Sequence, residues 1–335
     1  MDIIKKLEEL ETKGRGGADF PTALKWKMVK DEIADKKFVI CNASESEPGV
    51  YKDGFILENY PEEVIKGIKL AMETMSENSS GYIYLRKDYY KKFKEKLESL
   101  IDGLPIKVFE KTGGYLCGEE SVLLESIEGR REEPRLKPPF PTQKGLFGYP
   151  TLVNNVETFY YVAKIAENDY EKNRFYSIAW AAIPLGVINR EPIRQKVFEL
   201  PIDWSISHVL ESTDNFPKFD FFLQVGGGAS GKIFAKEDLK EKACGNGGII
   251  IYNKEETDFY ALMKEWISFF MKENCDKCVP CREGLYRIYE MLEINKIDKN
   301  ILKDIIFTLE KTSFCGLGKG VSQVLKTFSD KILNI

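Results

Sequence analysis

Four cysteines near the carboxyl end place the tightest restriction on how this chain can fold. Cys275, Cys278 and Cys281 stand in ENCDKCVPCREG, and Cys315 follows in TSFCGLG, 34 positions later (315 minus 281). A fold that brings the distant thiol to the other three creates the four-thiolate ligand set of an iron-sulfur cluster. Structural zinc sites, the alternative, normally take their ligands as two separated pairs. The spacing therefore favours a 4Fe-4S cluster over zinc.

The other cysteines and the histidine limit the remaining chemistry. Cys41, Cys117 and Cys244 are isolated in the sequence, so we interpret each as a small buried apolar residue. Because His208 is the only histidine, a histidine-rich zinc site is excluded and a Ser-His-Asp triad would have to use it. Seven cysteines in 335 residues are too few for a disulfide-stapled scaffold, which indicates a reducing compartment.

Charge and hydropathy exclude several classes of partner. The chain has 49 basic and 53 acidic residues, a formal net charge of −4, so no general affinity for nucleic acid or anionic lipid is expected. The first residues, MDIIKKLEELETK, lack the apolar core of a signal peptide. No later apolar run approaches the roughly 18 residues of a membrane span. We expect a cytoplasmic protein without direct membrane insertion or nucleic-acid binding.

The order of apolar segments predicts the fold class. From residue 38 short apolar strands such as FVICNAS alternate with amphipathic helices such as 61–77, which indicates an α/β layer. Residues 175–252 contain strand-like runs around one short helix at 205–212, which indicates a small β-rich insert. From about residue 257 the pattern is helical. The sequence therefore predicts an α/β domain, a β-rich domain and a helical domain.

A glycine-rich stretch near the start predicts a phosphate site. KGRGGADFPTALKWK, at 13–27, contains Gly14, Gly16 and Gly17 and the cations Arg15 and Lys25. Glycines near a helix start let backbone N–H groups approach a phosphate closely, and the two cations could balance its charge. The spacing matches neither the GxGxxG fingerprint nor a Walker loop, and a plain turn is the alternative.

Two later stretches follow predicted strands. CNASESEPGVYKD, at 41–53, leaves a strand at the edge where α/β sheets place ligands. The stretch CGEESVLL begins a helix with Glu119 and Glu120. These carboxylates either complement the helix dipole or hydrogen-bond ribose hydroxyls and repel a 2′-phosphate. The second role would select NAD over NADP.

The motifs occur in the order of a known family. Over residues 13–330 the chain resembles the flavin-carrying, NADH-oxidising subunit of respiratory complex I. The same module occurs in NAD-dependent formate dehydrogenases, NAD-reducing hydrogenases and flavin-based electron-bifurcating complexes. The motifs that carry the resemblance are GRGGxxFPT, CNAxESEPG, the CGEE helix, RLKPPFP, PTLVNNVET, ENCxKCxPCREG and SFCGLG.

The resemblance implies three domains. These are an α/β FMN-binding domain that also binds NADH at 1–174, a β-grasp (ubiquitin-like) soluble-ligand-binding domain at 175–253, and a four-helix 4Fe-4S domain at 254–335. The β-grasp domain would include GVINREPIRQKVFELP and LQVGGGASG.

The resemblance also implies the cofactor contacts. FMN would be held by Gly14, Arg15, Gly16, Gly17, Lys25, Asn42, Ser44, Gly118, Glu119, Asn154 and Asn155. The nicotinamide nucleotide would contact Phe20, Glu47, Glu120, Lys137 and Phe140. The aromatic rings would flank the adenine, the lysine would lie near phosphate, and Glu47 would lie near the nicotinamide. Lys137 and Phe140 lie in the proline-rich segment 129–150, so these contacts would give that segment a function.

Each of these residues also has an ordinary interpretation. Phe20 and Phe140 could be core aromatics, and Lys25 and Lys137 could be solvated surface residues. The pair Asn154-Asn155 could simply cap the helix that VETFYYV predicts.

Four residues depart from the family pattern. Asp19 and Ala23 stand where the family usually has glycine, Ser44 where it has an acid, and Met28 where it has an aromatic residue. All four belong to the nucleotide face. They motivate an alternative function, a cluster-bearing relay or assembly subunit that has lost productive NADH binding.

The implied activity is electron transfer within a larger redox complex. A hydride would move between NAD(H) and FMN, and single electrons between FMN and the 4Fe-4S cluster, with no catalytic side-chain acid or base. No further cysteine groups can hold additional clusters, so electrons must pass to another protein. The expected partners are a thioredoxin-like 2Fe-2S subunit and further redox subunits, at the cytoplasmic side of a membrane complex where one is present.

Overall fold

Strands and helices alternate through the first half of the chain, as the sequence predicts. The computed structural model describes residues 2–181 and 194–333. The chain divides into one unit of Met1–Ser46 with Tyr51–Lys172 and another of Glu47–Val50 with Asn173–Ile335.

The first unit is a parallel α/β layer. Its helices are α1 (Ile3–Glu9), α2 (Thr22–Asp31), α3 (Lys52–Asn59), α4 (Pro61–Met75), α5 (Lys87–Leu100), α6 (Glu120–Ile127), α7 (Pro141–Lys144) and α8 (Val156–Ala166). Its strands are β1 (Lys37–Ala43), β2 (Ser79–Leu85), β3 (Ile106–Glu110) and β4 (Thr151–Asn155). The strands form a parallel sheet in the order β3-β2-β1-β4.

Burial explains why β1 is apolar almost throughout. A parallel sheet is covered on both faces, so its inner strands do not alternate with polar residues. Amide side chains appear where β1 and β4 end, since Cys41 pairs with Asn154 and Asn42 with Asn155 in the register of the two strands. This edge therefore collects side chains that can bind a ligand.

Helix α4 forms where its periodicity predicts it. Pro61 occupies the first turn, and the face that contains Val64 and Ile68 is buried. Gly67 lets α4 approach α8 closely, because a Cβ there would lie 2.0 Å from the carbonyl oxygen of Phe159.

The segment 129–150 is largely irregular, as expected, but it contains more structure than the sequence interpretation allowed. Helix α7 begins at Pro141, and a short 3₁₀ turn follows at Leu146–Gly148. Proline has no N–H to lose at the first position of a helix, so a proline-rich segment can still form one turn there.

The second unit contains a mixed sheet followed by helices. The elements are β5 (Asn173–Trp180), β6 (Arg194–Pro201), α9 (Ile206–Ser212), β7 (Phe221–Val225), β8 (Lys232–Phe234), β9 (Gly248–Asn253), α10 (Phe259–Glu273), α11 (Val279–Glu293), α12 (Lys299–Thr312) and α13 (Gly316–Phe328). The strand order is β6-β5-β9-β7-β8. Strands β5 and β9 are parallel, and the other neighbouring pairs are antiparallel.

Helix α9 covers one face of this sheet. Ile206, Val209 and Leu210 pack in one apolar core with sheet residues such as Tyr176 and Leu223. In the stretch GVINREPIRQKVFELP, residues 186–193 lie outside the described residues, and the rest forms β6.

The helical pattern predicted after residue 257 is confirmed by α10 to α13. No helix within residues 2–181 and 194–333 combines the length and the apolar character that a bilayer crossing requires.

Candidate functional site

The glycine loop before α2 presents backbone rather than side chains. The N–H of Gly14 donates to the carbonyl oxygen of Phe20 at 2.9 Å, which closes the loop, while Gly16 and Gly17 are exposed. Gly17 has φ 109°, a conformation that favours glycine. A Cβ at Gly16 would lie 3.4 Å from the Cβ of Asn155, so the loop lies against the end of β4.

Arg15 points into the protein. The residue is 5% exposed, its backbone N–H donates to Thr158 Oγ1 at 3.0 Å, and its Nε lies 4.0 Å from Glu157 Oε1. Its guanidinium also lies over the ring of Tyr161, 5.6 Å from the centroid. The sequence interpretation treats Arg15 as a counter-charge for phosphate, whereas the structure places it against a buried carboxylate.

Arg15 belongs to a buried ionic network that sequence reasoning missed. Lys52 Nζ lies 2.6 Å from Asp53 Oδ1 and 3.1 Å from Glu157 Oε2. Burial would lower the pKa of Lys52, but the two carboxylates outweigh it and raise that pKa. The sequence does carry a signal, since Glu157 stands in the largely apolar helix α8, where it is fully buried.

The network holds Asn155 firmly. Asn155 Oδ1 accepts from Lys52 Nζ at 2.9 Å and from the backbone N–H of Glu157 at 3.1 Å. Its Nδ2 donates to Asp53 Oδ2 at 2.7 Å. Asn155 is therefore the N-cap of α8, as the ordinary interpretation proposed, and it also lies beside the glycine loop.

The polar end of β1 lies beside the turn that precedes α6. Asn42 Nδ2 donates to the carbonyl oxygen of Gly118 at 3.0 Å, and Asn42 Oδ1 accepts from the N–H of Ser44 at 3.2 Å. A Cβ at Gly118 would lie 3.0 Å from Ser44 Oγ. Asn154 Oδ1 accepts from Trp26 Nε1 at 2.9 Å. The structure thus brings together three of the expected FMN contacts, Asn42, Ser44 and Gly118.

Glu45 is half-buried behind this edge. It accepts hydrogen bonds from the N–H of Asp53 at 3.0 Å and from Tyr89 Oη at 2.7 Å. Loss of solvation raises the pKa of Glu45 to about 7, and the neighbouring Asp53 carboxylate adds to the effect.

The paired glutamates at the start of α6 have different surroundings. Glu119 Oε2 accepts from the N–H groups of Ser121 and Val122 at 2.9 and 3.0 Å, so it caps the helix. Glu119 Oε1 lies 2.8 Å from Lys137 Nζ. Glu119 therefore ties α6 to the proline-rich segment.

Glu120 lies between two lysines. Its carboxylate oxygens are 2.9 Å from Lys25 Nζ and 3.2 Å from Lys137 Nζ. Burial alone would raise the pKa of Glu120, but the two ammonium groups outweigh it and hold that pKa below its ordinary value. Lys25, Glu120 and Lys137 therefore form one ionised group, and neither lysine is a merely solvated surface residue.

The aromatic residues expected at the nucleotide are not in the core. Phe20 is 41% exposed and Phe140 is 45% exposed, which excludes the core interpretation. Of the departures from the family pattern, Ala23 is buried and Met28 half-buried on α2, and Asp19 has φ 50°.

Glu47 belongs to the second unit. Its Oε1 accepts from the N–H groups of Ala229 and Ser230 at 2.9 and 2.6 Å. Ser230 Oγ also donates to the same oxygen at 3.1 Å.

The four clustered cysteines lie at or beside the ends of helices α10, α11 and α13. Cys275 follows the end of α10, Cys278 caps α11, Cys281 is buried in the first turn of α11, and Cys315 caps α13. Burial raises the pKa of the Cys281 thiol, and the three other cysteines add to this effect.

These thiols fit a cluster by their chemistry, since four cysteines supply the whole ligand set. Within the described part of the chain, no group of three or more His, Cys, Asp or Glu is arranged to hold a single metal ion. Outside the cluster group, Cys41 and Cys117 are buried, as expected, and Cys244 is half-buried.

The donors at the carboxyl edge of the first sheet also fit FMN. Exposed glycine backbone suits a phosphate, and the amides and hydroxyl near Gly118 suit a polyol chain. A nucleotide-binding α/β layer and a four-thiolate helical group together define a redox protein that transfers electrons between an organic cofactor and an iron-sulfur cluster.

Comparison with known proteins identifies the family. Residues 7–164 match the family described as the Nuo51 FMN-binding domain. Residues 261–333 match the NADH-ubiquinone oxidoreductase-F iron-sulfur binding region. The chain is 32% identical to the F subunit of the NADH-quinone oxidoreductase of Aquifex aeolicus, over 98% of this chain and 84% of that protein. The chain therefore belongs to the family of NADH-quinone oxidoreductase F subunits and related hydrogenase subunits.

The hydrogenase relatives are longer proteins. The alpha subunit of the NAD-reducing hydrogenase HoxS of Cupriavidus necator is 32% identical, over 99% of this chain and 60% of its own length. A crystal structure of an NAD+-reducing [NiFe]-hydrogenase in the H2-reduced state matches with a TM-score of 0.84 and 28% identity, over 98% of this chain and 60% of that one. The family resemblance seen in the motifs is thus confirmed.

Membership defines the chain as an electron-transfer oxidoreductase subunit of the NADH dehydrogenase type, with an FMN-binding domain and a 4Fe-4S region. NADH binding is characteristic of this family.

Proposed function

We propose that this chain exchanges hydride with NAD(H) at an FMN bound along the carboxyl edge of the first sheet, and exchanges single electrons with a 4Fe-4S cluster on Cys275, Cys278, Cys281 and Cys315. The observation that carries the proposal is the meeting of the glycine loop with Asn155 and of Asn42 and Ser44 with Gly118. FMN supplies the conversion between a two-electron hydride and single electrons.

Different residues of the site would bind different parts of FMN. The N–H groups of Gly16 and Gly17 would receive the phosphate, because both residues are exposed. Asn42, Ser44 and Gly118 would contact the ribityl chain. The buried network around Glu157 acts indirectly, since it fixes Arg15 and Asn155 and thereby the shape of the loop.

The group of Lys25, Glu120 and Lys137 supports a preference for NADH. A ribose 2′-hydroxyl can donate to the Glu120 carboxylate, whereas a 2′-phosphate would be repelled by it. Lys137, which pairs with both glutamates, would lie near the pyrophosphate. Exposed Phe20 and Phe140 would flank the adenine, and a contact of Glu47 with the nicotinamide rests on the family resemblance alone.

We further propose that the sheet of the second unit is a β-grasp domain. A mixed sheet with one helix packed on its face supports this assignment. The division into domains at 1–174, 175–253 and 254–335 goes with it. As partners we propose a thioredoxin-like 2Fe-2S subunit and further redox subunits of a cytoplasmic or membrane-attached complex, since the relatives are named as subunits of larger enzymes.

The test is an anaerobic titration of the purified, cluster-replete chain with NADH and, in parallel, with NADPH, followed by the flavin absorbance. We expect NADH to bleach the flavin and NADPH to leave it oxidised. In the variant Glu120→Gln, the charge that repels the 2′-phosphate is absent, so NADPH should gain activity relative to NADH.

A second function is favoured by the departures from the family pattern. If Asp19, Ser44 and Met28 prevent nucleotide binding, the chain is a relay or assembly subunit. Flavin that is bleached by dithionite but by neither nucleotide would establish that alternative and overturn the proposed function.

A further inference from the structure

The glycine-rich stretch after β7 surrounds Glu47. The loop Gly226–Gly231 supplies the donors that Glu47 Oε1 accepts, two backbone N–H groups and the hydroxyl of Ser230. The N–H of Gly228 also donates to the carbonyl oxygen of Pro48 at 2.8 Å. The loop therefore binds both the side chain of Glu47 and the backbone that follows it.

The loop needs its glycines for this contact. A Cβ at Gly227 would lie 1.8 Å from Glu47 Cγ, and one at Gly228 would lie 2.7 Å from the carbonyl oxygen of Pro48. Gly227 also has φ 114°, which other residues rarely adopt. A side chain at Gly227 would therefore displace Glu47, and one at Gly228 would displace the backbone of Pro48.

The other side of the loop is attached to the helices that carry the cysteines. Gln323 Nε2 on α13 donates to the carbonyl oxygen of Ser230 at 3.0 Å. Trp266 Nε1 on α10 donates to the carbonyl oxygen of Gly228 at 3.1 Å. Helix α13 begins directly after Cys315, and α10 ends shortly before Cys275. The same loop thus contacts Glu47 and both helices.

We propose that the loop Gly226–Gly231 fixes the carboxylate of Glu47 for its contact with the nicotinamide nucleotide, with Ser230 as a positioning residue anchored to α13 through Gln323. The inference rests on the proposed function, because it takes the contact of Glu47 with the nucleotide from there. A carboxylate that accepts three hydrogen bonds on one oxygen has a fixed orientation.

The test is a double-mutant cycle of Ser230→Ala and Glu47→Gln. Stopped-flow reduction of the flavin by NADH gives the limiting rate and the apparent dissociation constant for each variant. We expect Ser230→Ala to lower the limiting rate about tenfold, the value of one hydrogen bond to a charged group. The apparent affinity should change less, because Ser230 orients Glu47 and does not itself contact the nucleotide.

The cycle separates positioning from a structural role. In the Glu47→Gln background, Ser230→Ala should change the limiting rate less than about twofold, since the charge it orients is gone. The variant Gln323→Leu, which removes the anchor but not the donors, should lower the rate by a smaller factor than Ser230→Ala. Ser212→Ala, on the exposed end of α9, is the matched control and should behave as the wild type.

Calorimetric binding of NAD+ and thermal unfolding complete the test. An unchanged rate in Ser230→Ala, or equal effects of that change with and without Glu47, overturns the inference while leaving the proposed function intact. If Ser230→Ala does not fold, the cycle of Gln323→Leu with Glu47→Gln decides by the same criterion. If NADH fails to reduce the wild-type flavin, the proposed function and this inference are both wrong.

Discussion

Asp19 stands at a position where the family usually has glycine. Its φ of 50° lies in the left-handed region, which aspartate tolerates better than most residues. The structure thus explains why glycine suits this position and how an acid can replace it. It does not remove the electrostatic consequence, a negative charge in the loop that we propose as the phosphate site.

Substitutions at Asp19 should separate conformation from charge. Asp19→Ala should lower the free energy of unfolding by about 1 kcal/mol, because alanine is strained at this φ. Asp19→Asn and Asp19→Gly should change it by less than about 0.5 kcal/mol, since asparagine tolerates the conformation and the extra freedom of glycine in the unfolded chain offsets its relief of strain. Denaturant unfolding measures these values.

The same variants should also change the affinity of the protein for FMN. Asp19→Asn and Asp19→Gly should both tighten FMN binding to the flavin-free protein, measured by quenching of FMN fluorescence, because both remove the charge. Equal affinity in the wild type and Asp19→Asn would mean that Asp19 does not act on the phosphate.

Glu45 should give stability a characteristic pH dependence. Its pKa of about 7 in the folded protein lies above the ordinary value of 4.5, so the folded state binds this proton more tightly than the unfolded state does. The stabilisation from this group is present below about pH 4.5 and is lost as the pH rises through 7. The variant Glu45→Gln lacks it, so the wild type should lose stability relative to Glu45→Gln between pH 5 and 8.

Denaturant unfolding of both proteins across this pH range measures the difference. Asp88→Asn, at an exposed carboxylate, is the control and should follow the wild type. Parallel stability curves for the wild type and Glu45→Gln would contradict the raised pKa.

For single residues, the sequence predicted the segment in which a residue lies better than it predicted the direction of the side chain. Arg15 stands in the expected loop, but its side chain points to Glu157, because the partners in the buried network come from segments separated by more than a hundred positions. Glu119 begins the expected helix and caps it. Sequence patterns record which residues are polar, and the direction of a side chain depends on distant partners.

Among the elements, the cysteine-bearing helices give the clearest prediction. Cys315→Ser should abolish the 4Fe-4S cluster, because a serine hydroxyl is a poor substitute for the thiolate at the start of α13. Iron and acid-labile sulfide should fall from about four atoms each per chain toward zero. Cys244→Ser, in the same unit but outside the cluster group, should keep both.

Retention of about four iron atoms in Cys315→Ser would show that the fourth ligand lies elsewhere. A single zinc ion per wild-type chain would contradict the cluster itself.

Regular elements were predictable where periodicity was strong. Helix α4 follows its apolar stripe, and β1 its continuous apolar run. Helix α7 was not predicted, because four residues are too few to show a helical periodicity. The role of the loop Gly226–Gly231 was not predicted either, because Ala229 and Glu47, which it brings into contact, are 182 positions apart in the sequence.

At the scale of the whole molecule, the segment Glu47–Val50 could not be placed from the sequence. It follows β1 directly in the chain, yet it packs within the second unit. Its contacts depend on glycines far along the chain, at 227 and 228. The sequence of motifs revealed the family, whereas the division of the chain into units required the structure.

We infer that this one chain transfers electrons from NADH, through FMN, to its own cluster. The most direct measurement is the EPR spectrum of the purified, cofactor-replete protein after anaerobic addition of NADH, with dithionite as the reference for full reduction. We predict that NADH produces the EPR signal of the reduced 4Fe-4S cluster and that this signal is absent in Cys315→Ser. A cluster that dithionite reduces but NADH does not, in protein that contains FMN, would contradict it.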